Sequence, residues 1–284
     1  MNSVKFTLIS GMLMGAAAAN AQTVYSNNLD PGDYFTNAGS TPANQMVTGF
    51  TGTGGEKVTY RETKNGATVG INTTAPRNGN GSVWFSANGT NVKSEIAMST
   101  GFDGAGNSAG TLGAFDSMTT LSADLMTLSS SVSNQAPIVR IELFSSTQAA
   151  GHRYGQLVFD TAWSPAHYGT FNFGTWNNVS LFANSSSTYL RGTSSLGLDY
   201  DPSSAEMTLA NWQSTLAGKG FEVISVNAGI GTFNGSFEGG MDNLSVGFGG
   251  NTKNYNFEAV PEPTSICALG LGALALIRRR SAKK

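Results

Sequence analysis

The chain predicts an all-β protein: a single jelly-roll-like β-sandwich with one short helix, set between two terminal segments that do not belong to the fold. Three observations predict it. Apolar residues recur with period two, as in Val58-Thr59-Tyr60-Arg61, Val83-Trp84-Phe85 and Val139-Arg140-Ile141-Glu142-Leu143, the spacing that turns one side of a strand toward a core. Gly supplies 36 of the 284 residues and, with abundant Ser, Thr and Asn, fills the intervals between those runs, so the connections are turns. Residues 22–260 form one stretch of 239 residues, enough for one large β domain with a sizeable core.

At the N-terminus, Lys5 precedes an apolar run from Phe6 to Ala19, and Ala19-Asn20-Ala21 is a small-x-small site before Gln22. This pattern predicts a signal peptide over 1–21, cleaved by signal peptidase after Ala21. Strands follow near 23–26, 45–51, 57–63, 67–72, 82–87, 92–99, 119–129, 137–145, 153–160, 176–183, 187–192, 221–228 and 237–248. Leu209, Trp212 and Leu216 break the alternation at i, i+3 and i+7, with Thr208 as N-cap and Gly218 as stop, which predicts the short helix. The loops at 101–113 and 185–187 hold Gly, Ser and Asn and belong at the surface. The sandwich is expected to end at 248, and residues 249–260 (GGNTKNYNFEAV) read as a linker.

At the C-terminus, Pro261-Glu262-Pro263 is followed by an apolar run over 264–277 and by Arg278-Arg279-Arg280-Ser281-Ala282-Lys283-Lys284. As a helix, that 14-residue run is roughly 21 Å long, against a hydrocarbon core of about 30 Å. The basic tail over 278–284 would stay on the cytoplasmic side, leaving the body outside. The order of these parts closely resembles the PEP-CTERM sorting signal of Gram-negative bacteria. The resemblance implies transient membrane insertion, recognition by exosortase, cleavage near Pro261 to Pro263, and export toward an exopolysaccharide-rich surface. An ordinary tail anchor is the alternative; a cleaved signal accounts for both the short span and the Pro-bracketed entry.

The formal net charge of −2 misleads, because six of the 16 basic residues but only Glu262 of the 18 acidic ones lie in the two signals. Ten basic and seventeen acidic residues remain, a net charge of −7, without a basic cluster. Nucleic acid is thereby excluded as a partner, and so are anionic membrane surfaces. The single Cys, Cys267, lies inside the sorting segment as an apolar filler or a lipidation site, so the mature domain has no disulfide.

Gly106-Asn107-Ser108-Ala109-Gly110 fits G-x-S-x-G but lacks the strand before it and the helix after it that a nucleophile elbow needs. A glycosidase needs two carboxyl groups facing each other. Neither Glu142 nor Glu222 has a partner two or four residues away on its own strand, and a pair drawn from two strands stays open. His152 and His167 stand 15 residues apart and the body has no Cys, which disfavours zinc. Oxygen donors are plentiful, which favours calcium. Gly240-Met241-Asp242-Asn243-Leu244-Ser245-Val246 resembles the final-strand element of jelly-roll carbohydrate-binding modules. That resemblance implies that Asp242 ligates a structural calcium together with the N-terminal strand, where Asp30 is the candidate partner. Asp199 and Asp201 form a weaker pair, better suited to a turn.

Aromatic residues are densest from Tyr154 to Trp176. Trp163 and Tyr168, beside Pro165 and Gly169, are the candidate glycan contacts, while Trp84, Phe159 and Trp176 are assigned to the core. The sequence therefore favours a non-catalytic, exported cell-surface or extracellular-matrix protein with weak glycan affinity and no cofactor beyond that calcium. An extracellular glycoside hydrolase or lyase on the same scaffold is the rival.

Overall fold

The computed structural model describes residues 21–100, 110–163, 167–168, 171–193, 196, 205–232 and 235–262. In chain order the strands are β1 (Gln22–Leu29), β2 (Phe35–Asn37), β3 (Ala43–Met46), β4 (Lys57–Lys64), β5 (Ala67–Asn72) and β6 (Ser82–Ala87). Next come β7 (Lys93–Ser99), β8 (Gly113–Ala114), β9 (Met118–Ser130), β10 (Ile138–Phe144), β11 (Tyr154–Phe159) and β12 (Asn177–Ser180). The last are β13 (Tyr189–Thr193), β14 (Glu206–Thr208), β15 (Glu222–Ile230), β16 (Phe237–Phe248) and β17 (Asn251–Val260), with the helix α1 (Leu209–Leu216) between β14 and β15.

Two sheets pack face to face, as in a β-sandwich. The nine-stranded sheet runs β14-β13-β11-β10-β15-β7-β4-β3, with β8 beside β15. The eight-stranded sheet is built around β16, which pairs with β9 along one edge. Its other edge is shared: Phe237 to Met241 pair with β6, and Leu244 to Phe248 pair with β17. Between the sheets lie Val58, Tyr60, Ile96, Ile141 and Val226 from one side and Val83, Phe85, Leu125, Met241 and Phe257 from the other. These are the period-two apolar positions that predicted the strands.

The helix forms as expected. Thr208 Oγ1 accepts from Asn211 N at 3.2 Å, Leu209, Trp212 and Leu216 are fully buried, and Trp212 Nε1 donates to Leu190 O at 2.8 Å. Gly218, just beyond the helix, takes φ +69°, a left-handed conformation that favours glycine.

Three assignments need correction. The first concerns 249–260, which is not a linker: Gly249 and Gly250, at φ +55° and +83°, make the tight turn of a hairpin in which Phe248 pairs with Asn251. The strand that follows buries Tyr255, Phe257 and Ala259 in the core, so the sandwich runs to Val260 instead of ending at 248. The second and third concern Trp84 and Trp176, which are only partly buried and lie on the outer face of the eight-stranded sheet. Phe159 is in the core as expected.

Among the described residues no helix is long and apolar enough to cross a membrane. Residues 1–20, with Ala19 of the cleavage site, lie outside the described residues. So do Ser108, Asp199, Asp201, Pro263, the apolar run over 264–277 and Arg278 to Arg280.

Candidate functional site

Across antiparallel strands, paired residues share a face. Because Val139, Ile141 and Leu143 point into the core, Arg140 and Glu142 point outward, and the pairing extends that outer face across the nine-stranded sheet. One row runs Glu206, Arg191, Val158, Arg140, Asn227, Ala97 and Thr59. The next brings Glu142 beside Gln156 and Ser225, and a third sets Arg61 beside Glu95.

The outward face is almost closed to solvent at its centre. The side chains of Glu95 and Glu142 are 1% and 2% exposed. Glu142 accepts from Arg61 Nη1 at 2.6 Å, Gln156 Nε2 at 2.8 Å, Tyr154 Oη at 3.2 Å and Asn227 Nδ2 at 3.2 Å. Glu95 pairs with Arg140 and Lys93 and accepts from the same Asn227 Nδ2 at 3.0 Å. Burial pushes the Arg140 guanidinium down to about 10, against the pull of the Glu142 carboxylate, and burial with Arg140 nearby lowers the Lys93 ammonium.

The one Asn227 nitrogen bridges a carboxylate pair from β7 and β10 that no same-strand pattern could reveal. Bonds of 3.0 and 3.2 Å to that one nitrogen hold the two carboxylates close across the strands, whereas a glycosidase would need both open to a cleft. Both carboxylates are filled by ion pairs and amide donors, so neither is open to a substrate.

At the rim of this face Asp160 Oδ1 accepts from Ala162 N and Trp163 N, each at 3.1 Å, and so builds the turn that presents Trp163. The indole is 54% exposed, and the Arg191 guanidinium lies 4.5 Å from its ring centroid. Tyr168 is placed differently: its ring meets Phe159 edge-on at 4.7 Å and packs against the core, and burial raises its hydroxyl. His167 stacks on Tyr189 at 3.7 Å and stands 3.5 Å from Glu206. The aromatic segment from Tyr154 to Trp176 thus divides between the sheets, with Trp163 as its open platform and Trp176 on the opposite face of the sandwich.

Asp242 is fully buried where β6 and β17 part along β16. Asn243, at φ +52°, bulges the strand there and turns the Asp242 carboxylate toward β17, where Oδ1 accepts from Phe257 N at 3.0 Å. Burial pushes this carboxyl up to about 6, with Glu258 adding to the effect, while the backbone N–H groups of Phe257, Asn243 and Asn78 pull it down. Asp30 is exposed and its N–H donates to Val260 O at 2.8 Å, on the edge of β17 that faces β1. The Asp242 carboxylate and the Asp30 main chain therefore attach to opposite edges of β17, three residues apart or roughly 10 Å along it, and the Asp30 carboxylate faces Thr73, whose Oγ1 lies 3.5 Å from Oδ1. Among the described residues no hydrogen bond joins the Asp30 and Asp242 carboxylates, the two residues read from the sequence as a calcium pair.

The end of β17 carries the last predicted site. Val260 N donates to Ser26 Oγ at 3.0 Å, and Pro261 and Glu262 emerge exposed directly after the ladder. Lacking an N–H, Pro261 cannot extend the strand pairing. An acidic residue following that proline, then an apolar run, then arginines, is the pattern of a sorting signal. Residues 259–281 match the PEP-CTERM protein-sorting motif.

The PEP-CTERM match makes the chain an exported, cell-surface protein processed by exosortase. No curated relative and no solved structure matches the chain. The PEP-CTERM motif begins at residue 259, inside β17, so the folded body and the sorting signal abut without a spacer. At the other end Gln22, the first residue after the predicted cleavage site, already belongs to β1, which pairs in parallel with β17.

Proposed function

We propose that the mature chain is a non-catalytic component of a Gram-negative cell surface or extracellular matrix that holds glycans weakly at the Trp163 rim. In this reading a signal peptide is removed after Ala21, exosortase acts on the membrane-inserted precursor near Pro261 to Pro263, and the jelly-roll-like body is what remains. The observation that carries the glycan part is Trp163 itself: a large indole, exposed, held in place by Arg191 on a turn fixed by Asp160. A positioned aromatic face suits the apolar face of a pyranose, and the guanidinium and carboxylate groups beside it suit hydroxyls. The filling of Glu95 and Glu142 supports the non-catalytic reading over the hydrolase.

Native gels containing hydroxyethylcellulose, laminarin or galactomannan test this directly. Retardation of the wild-type domain in at least one gel is expected, with Trp163→Ala weakening it roughly tenfold or more, as for a buried-contact aromatic anchor. Equal retardation of both proteins would remove Trp163 from the reading.

A further inference from the structure

The outer face of the eight-stranded sheet carries a feature unrelated to the sorting signal and to the Trp163 rim. Pairing places Gly70, Trp84, Gly240 and Met126 in one row across β5, β6, β16 and β9. Trp84 and Trp176 are both partly exposed over this row, and Tyr34, 46% exposed, meets the Trp84 ring edge-on at 5.9 Å. The two glycines make room for protein groups that pack over them and set the aromatic rings in place. A Cβ on Gly240 would lie 3.2 Å from Trp176 Cη2 and 2.9 Å from Val83 O, and one on Gly70 would lie 1.8 Å from Asp33 O.

Polar groups border the rings. Trp84 Nε1 donates to Glu238 Oε1 at 3.2 Å, which fixes the indole. On the neighbouring row Asp124 is bound by Arg77 Nε at 3.2 Å, and the Arg77 side chain is 38% exposed. Two carboxylates against one guanidinium, on a domain of net charge −7, oppose an anionic polymer or an anionic lipid surface. Aromatic faces with hydroxyl-reading groups at their edges fit an uncharged polysaccharide instead.

We propose that this face is a second polysaccharide-binding surface, specific for uncharged chains, so that one domain bridges two of them from opposite sheets. The proposal rests on the glycan reading given for the Trp163 rim, and the test separates the two. Of the four Trp residues, Trp163→Ala leaves Trp84, Trp176 and the fully buried Trp212, so a change in indole emission on adding a glycan reports this face.

Hydroxyethylcellulose, laminarin and galactomannan are titrated into the Trp163→Ala domain, with gel retardation and solution viscosity measured in parallel. The expected result is residual retardation with a saturable emission change, weakened about fivefold or more by adding Tyr34→Ala. Wild-type domain raises the viscosity, and neither Trp163→Ala nor Tyr34→Ala does so alone. Tyr34 is exposed, so its replacement leaves the fold intact, and Trp84→Phe, which keeps a stacking ring, should retain most of the binding. Loss of all retardation in Trp163→Ala, with Tyr34→Ala and Trp84→Phe binding like wild type, overturns the second surface and leaves the first. Absence of retardation in the wild-type domain overturns both. Dimerisation of the unliganded domain that Tyr34→Ala abolishes would assign the face to a protein contact and overturn the proposal too.

Discussion

A domain ending at Gly250 will not fold, whereas one ending at Glu262 will unfold in a single cooperative transition. Cutting at Gly250 removes Tyr255, Phe257 and Ala259 from the core, and truncating a single buried aromatic typically costs about 3–5 kcal/mol. It also removes the strand that β1 pairs with, exposes the edge of β16 from Leu244 to Phe248, and leaves the buried Asp242 carboxylate without the Phe257 N–H. Glu258, which accepts from Asn80 N and Gly81 N, would be lost as well, freeing the loop that covers Asp242. Together these losses exceed the roughly 5–15 kcal/mol by which domains are usually stable. Circular dichroism with thermal scanning decides the matter: matching transitions for the two truncated proteins would mean that 251–260 is dispensable after all.

Glu95→Ala will destabilise the domain by about 3–5 kcal/mol, the cost of breaking a buried ion pair from one side. Glu95 stands between Arg140, Lys93 and Asn227, and removing its carboxylate leaves the Arg140 guanidinium buried with a lost partner. Glu62 provides the comparison. It pairs with the same Lys93 at 3.1 Å, but its side chain is 32% exposed, so Glu62→Ala should cost only about 0–1 kcal/mol. Equilibrium urea denaturation of both variants reads the difference as a shift in midpoint. Similar midpoints would show that the network behaves as an ordinary solvated surface.

Much of the fold was legible because period-two alternation encodes a face, and the strands over 57–64, 67–72, 82–87 and 237–248 could be placed from it within a residue or so. The helix was legible because Leu209, Trp212 and Leu216 depart from that period and Thr208 caps them. The strand at 251–260 was missed although Tyr255, Phe257 and Ala259 alternate. Its first half is polar, and Gly249-Gly250 reads from sequence as the start of a linker, whereas the pair makes a hairpin turn. Size argues for burying Trp84, and a place at the head of an alternating run argues for burying Trp176, but the strand register turns Trp84 outward and Gly240 gives Trp176 room on the same outer face. The Glu95–Glu142 pair was invisible for the same reason: its partners are 47 positions apart and meet only through the sheet. Trp163 could be read from its turn-forming surroundings, but the core packing of Tyr168 depends on Phe159.

The folded body begins with β1 at Gln22 and ends with β17 at Val260, and the sorting signal begins where that last strand ends. Intact-mass spectrometry of the protein released from the surface of its native host tests this arrangement most directly. The predicted species starts at Gln22 and ends between Val260 and Pro263, with β17 complete and the basic tail gone. A surface species that retains Arg278, or one that ends within 249–255, would contradict it.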